Sequence, residues 1–94
     1  MNDSTKNRIA ELRKKIDAVD SELLSALNRR AGLVIKVGRI KKKQQARIHD
    51  LEREALLMAR LLELNRGPLK DEMVQRLFQS IIETLKQLQS TPTD

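Results

Sequence analysis

The chemistry open to this chain rests on a few charged and amide side chains set on otherwise apolar faces. Apolar residues recur at Ile9, Leu12, Ile16, Val19, Leu23 and Ala26, then at Leu33, Val37 and Ile40, with alternating spacings of three and four. That is the heptad seam of one long helix. Arg30 fills the position between Ala26 and Leu33, so a guanidinium stands where an apolar contact is due. Lys41 lies eleven residues further on. The two fall within ~20° of each other around the helix and ~16 Å apart along it, so their long side chains can converge on one small anion. Arg13 is ~25 Å back from Arg30 along the axis, beyond the reach of the same small molecule within one chain. In an antiparallel pair of chains the partner subunit's Arg13 approaches instead.

Two further stripes carry misplaced polar groups. Asp50, Glu54, Leu57, Leu61 and Leu64 are spaced four and three, so two carboxylates head an apolar face, with Arg53 beside both. Phe78, Ile82 and Leu85 line another face, widened by Val74, Ile81 and Leu88, and Gln89 ends it as Arg30 interrupts the first. Taken alone, Arg30 has a structural explanation as an inward salt bridge to Glu54 or Asp50, or as a polar residue that sets the register of a coiled seam. The departures at Lys41, at Asp50, Arg53 and Glu54, and at Gln89 weigh against it. A buried cationic cluster with too few acids calls for an anion.

Other routes to chemistry are missing. There is no Cys, no Gly-rich phosphate loop and no pair of His residues at ligand spacing, and the lone His49 reads as a solvated residue near a helix start. The serines belong to no Ser/His/Asp arrangement. The pattern therefore points away from covalent or metal-dependent catalysis, and no cofactor or metal is expected. Lys41, Lys42 and Lys43 with a net charge of +6 invite a nucleic-acid reading. It fails for want of aromatics to stack on bases, since Phe78 is the single aromatic residue, and a short basic run is ordinarily a solvated helix end. A polar N-terminus and the lack of any membrane-length apolar run predict a soluble, non-exported, cytoplasmic chain with no membrane partner.

The elements that must hold these groups are helical. The expected fold is all-α, a single domain over residues 1–94. One long helix covers about 5–43 and is capped by Asp3, Ser4 or Thr5; a second covers about 49–65 and a third about 68–89. Residues 90–94 form a disordered tail by composition. Between the last two helices stand Asn65, Arg66, Gly67 and Pro68, with the glycine suited to a left-handed helix end and the proline to the first turn of the next helix. Gly32 and Gly38 lie inside the long helix, each costing roughly 1 kcal/mol relative to Ala, so close packing or a ligand is expected there. Residues 9–43 make a helix of ~52 Å, whereas a compact chain of this size has a radius of gyration of ~12 Å. One chain cannot cover such a seam, and a symmetric dimer follows.

The ordered set of residues resembles the all-α class of chorismate mutases. The likeness runs from residues 12–20 through Leu23, Leu24 and Arg30 to residues 37–41, then through residues 48–54, Gly67 and Pro68, residues 77–82 and Gln89. The resemblance implies an intertwined homodimer of three-helix chains that converts chorismate to prephenate, a unimolecular [3,3] rearrangement in aromatic amino-acid biosynthesis. Such a reaction needs a flexible dianion held in its reactive shape and negative charge stabilised on the ether oxygen. By motif position, Arg30, Arg53 and the partner subunit's Arg13 would hold the substrate carboxylates. Lys41 and Gln89 would donate to the ether oxygen, and Asp50 and Glu54 would meet the hydroxyl and orient neighbouring cations. Leu85 departs from the small or hydroxyl residue common in relatives, and Arg47 from a frequent Pro. Two rival readings are a sister reaction on the same fold, pyruvate elimination from isochorismate, and a non-catalytic helical dimer or regulatory module. The complete Asp50, Arg53 and Glu54 group with Lys41 favours the mutase.

Overall fold

The computed structural model describes residues 3–44 and 50–90, and among them every regular element is a helix: α1 Asp3–Lys43, α2 Leu51–Leu64 and α3 Asp71–Ser90. His49, Arg47 and the tail after Ser90 lie outside the described residues. No described helix is long and apolar enough to cross a membrane.

Helix α1 runs for 41 residues and already includes Asp3, Ser4 and Thr5, so these residues lie in its first turn and do not cap a helix starting near residue 5. Asp3 sits in its first turn and Lys41, Lys42 and Lys43 in its last, each sign where the helix dipole favours it. The chain divides into two compact units, residues 1–32 and residues 33–94. The end of α1 belongs to the second unit, and the first holds only the part of α1 up to Gly32. Its seam residues Leu12, Ile16, Val19 and Leu23 are all more than half exposed.

In the second unit α2 packs on α3. Leu57, Met58, Leu61 and Leu62 recur at helical spacing as the half-buried face of α2, and on α3 the matching face is Val74, Phe78, Ile81, Ile82, Leu85 and Leu88. Only Val74 and Ile82 on this face are less than a tenth exposed. The core of one chain is thus thin. Leu33, Val37 and Ile40, the continuation of the α1 seam, also stay exposed, as do Met73 and Leu77 on α3.

Side chains fix the helix ends. Asp50 is the N-cap of α2, its Oδ1 accepting from the Arg53 backbone N–H at 3.0 Å. At the other end the Arg66 guanidinium donates to the Glu63 carbonyl at 3.0 Å, satisfying one of the orphan acceptors of the last turn. Asn65 then organises the turn. Its Nδ2 donates to the Leu69 carbonyl at 2.8 Å and to Asp71 Oδ1 at 3.0 Å, while its Oδ1 accepts from Gly67 N–H at 3.1 Å. Gly67 has φ +73°, the left-handed conformation expected of it. The expectation that Pro68 opens the third helix needs correcting, because α3 begins at Asp71. The Asn65 bonds commit residues 66–70 to the turn, and the Lys70 carbonyl is the acceptor that starts α3, receiving Met73 N–H and Val74 N–H.

Candidate active site

The sequence-predicted residues fall on all three helices. Arg13 is exposed and Arg30 half-buried on α1 within the first unit. In the second unit Lys41 is half-buried at the end of α1, Asp50 and Arg53 are exposed at the start of α2, Glu54 is half-buried one residue further, and Gln89 is half-buried near the end of α3.

Gln89 is brought against α1 by a glycine. A Cβ built on Gly38, the one buried residue of α1, would stand 2.9 Å from Gln89 Cα and 3.1 Å from its Cβ. Real Cβ atoms do not approach so closely, so only glycine lets the end of α3 seat here. Gly32 answers to no such need: a Cβ there meets nothing within 4 Å. Of the two helix-interior glycines, Gly38 is therefore the packing one. Lys41 lies three residues beyond Gly38 and shares its side of the helix, which puts it beside the Gln89 contact. Gln89 Oε1 is buried without a hydrogen-bond partner. A buried polar atom of that kind carries a desolvation penalty until some group pairs with it.

Glu54 has a partner that the sequence did not reveal. Lys86 Nζ lies 2.5 Å from Glu54 Oε1 and 3.2 Å from Glu83 Oε1, with 11% of the lysine side chain exposed. Glu54 itself is 25% exposed and Glu83 62%. Hydrogen bonding to Glu54, with Glu83 adding to it, holds the Lys86 ammonium above its ordinary pKa of 10.5 against the opposing pull of desolvation. The cation that pairs with Glu54 in the second unit is thus on α3. A signal was present: Lys86 follows Ile82 by four residues and precedes Gln89 by three, so it lies on the buried side of α3 as Arg30 lies on the seam of α1. The stripe through Leu85 concealed it. Glu54, Met58, Gln79, Ile82 and Glu83 together line a groove of about 320 Å³ between α2 and α3.

Asp50 and Arg53 are joined differently from the way their side chains predict. It is the Arg53 backbone that Asp50 Oδ1 receives. The cap fixes the first turn of α2 and so the direction in which Arg53 and Glu54 leave the helix.

Residues 12–90 match the family model of chorismate mutase type II, and the chain belongs to that family. It is 36% identical over 85 residues to a bifunctional chorismate mutase/prephenate dehydratase of Aquifex aeolicus, and 37% over 81 residues to that of Escherichia coli. The alignments cover 86% and 85% of this chain but 24% and 21% of those proteins, so the chain spans about a quarter of the length of these relatives. Among solved structures, a chorismate mutase of Thermus thermophilus superposes with a TM-score of 0.89 at 33% identity, over 93% of this chain and 99% of that one. A Helicobacter pylori chorismate mutase in complex with prephenate superposes with a TM-score of 0.82 at 26% identity, over 89% and 91%.

Proposed function

We propose that this chain is a chorismate mutase that rearranges chorismate to prephenate in a homodimer. The observation that carries the reading is the meeting of Gln89 with Gly38 beside Lys41, on a family fold one of whose members has been solved with prephenate. In the rearrangement one C–O bond breaks and one C–C bond forms in a single cyclic shift of electrons. No proton need move, and no nucleophile or metal is required. Catalysis then reduces to selecting the folded-back conformer and stabilising charge that grows on the ether oxygen.

Each residue has a part in that account. Arg30, Arg53 and Arg13 of the partner subunit grip the two carboxylates, because guanidinium forks match carboxylates and stay charged. Lys41 and the Gln89 amide donate to the ether oxygen. The ether oxygen only accepts, so it is Nε2–H of Gln89 that donates to it, from a side chain whose Oε1 is buried. Asp50 and Glu54 accept from the substrate hydroxyl. The homodimer is supported by the exposed seam of Leu12, Ile16, Val19 and Leu23, each of which would gain on the order of 1 kcal/mol from covering the half still exposed.

The test is direct. Incubating the purified chain with chorismate and following its ultraviolet absorbance is expected to show saturable loss with stoichiometric prephenate. A folded dimer that leaves chorismate at its spontaneous rate defeats the proposal.

A further inference from the structure

Glu54 is assigned to the substrate hydroxyl and Lys86 has no role, yet Lys86 is paired with two acids. Its side chain is 11% exposed and bridges two acids. Lysines are seldom so covered unless they are paired. Glu83 sits one turn back on the same helix, 62% exposed, at 3.2 Å; Glu54 reaches across from α2 to 2.5 Å and is itself 25% exposed. The tighter and drier bond is therefore the one between helices.

A carboxylate offers two oxygens and about four lone-pair sites. An ammonium on Oε1 fixes the plane and tilt of the group and leaves Oε2 to accept from elsewhere. We propose that Lys86 is a positioning residue of the active site, gripping Oε1 of Glu54 so that the other carboxylate oxygen faces the substrate hydroxyl. This rests on the mutase reading of the chain. Two features converge on it: the pairing across the helices and the place of Lys86 one turn from Gln89 on the same side of α3. Along α3, Lys86 thus falls between Ile82, which is buried, and Gln89, whose amide oxygen is buried without a partner. Its raised pKa keeps it charged at neutral pH.

A plain clamp between α2 and α3 would affect folding alone. Positioning affects turnover in the folded dimer. The experiment measures kcat, KM and the unfolding midpoint for Lys86→Met and Lys86→Arg, each in the wild-type and Glu54→Gln backgrounds. Lys86→Met is expected to lower kcat by about tenfold or more, since small displacements of a reacting arrangement have effects of that size, with KM changed less. Lys86→Arg restores most of the loss, and in the Glu54→Gln background Lys86→Met has little further effect. A folded Lys86→Met dimer with wild-type kcat overturns the proposal, as does a loss undiminished by Glu54→Gln. Should Lys86→Met not fold, Lys86→Gln, which keeps a donor, carries the same comparison. Turnover by wild type with no change in the variants defeats this inference alone; a wild type without turnover defeats it together with the mutase reading.

Discussion

Gly38 and Gly32 sit six residues apart on one helix and differ in what a methyl group would meet. At Gly38 it meets the backbone of Gln89 at 2.9 Å, at Gly32 open space. Gly32→Ala is predicted to raise stability by up to ~1 kcal/mol through helix propensity. Gly38→Ala gains the same propensity but incurs ~1–3 kcal/mol of overpacking, and it moves Gln89, so both the denaturation midpoint and kcat should fall. Equal effects of the two substitutions would contradict the packing account. Lys86 allows a prediction in pH. Its pKa is raised in the folded chain, chiefly by Glu54. A cation so raised contributes stability that is complete below its unfolded pKa and is lost as pH climbs through the folded value. The stability difference between wild type and Lys86→Met should therefore be flat from roughly pH 7 to 9 and shrink only in strong alkali; a difference that shrank across the neutral range would mean the pair is not what holds Lys86.

At the scale of elements, the helices were legible because their apolar spacing keeps its register over many turns, even across Arg30. The α1 seam and the α3 stripe each repeat over many turns, and each lies within a helix, α1 Asp3–Lys43 and α3 Asp71–Ser90. The turn between α2 and α3 was legible in composition but not in extent. Gly67 has the expected positive φ, but Asn65 bonds three groups through its side chain and so delays α3 to Asp71. Side-chain to backbone bonds of this kind leave no periodic trace. Asn65→Ala is predicted to destabilise the chain by ~1 kcal/mol or somewhat more, the net worth of such bonds at a partly exposed site, measured by denaturant titration with activity per folded dimer unchanged. The same distinction holds for the site. Arg30 and Gln89 announce themselves by interrupting a stripe. Lys86 is hidden because Leu85 next to it satisfies the stripe, and its partner lies 32 residues away on another helix, a pairing that only packing reveals.

For the whole molecule, the decisive feature is how little one chain buries. Val74 and Ile82 are its buried apolar residues among those described, while the α1 seam stays open from Leu12 to Ile40. In the proposed homodimer a second copy would cover that seam and bring the partner subunit's Arg13 to a site whose Arg30 belongs to the first chain. The central claim is thus a chorismate-rearranging site assembled from two chains, and mixing inactive variants tests it most directly. Arg13→Ala and Arg30→Ala homodimers each lack one arginine in every site and are predicted to be inactive. After subunit exchange, half of the dimers are hybrids in which one site of two keeps both arginines, so about a quarter of wild-type turnover should return. A mixture that remains inactive once exchange has been demonstrated would contradict a shared site, and full activity in either variant alone would contradict the role given to its arginine.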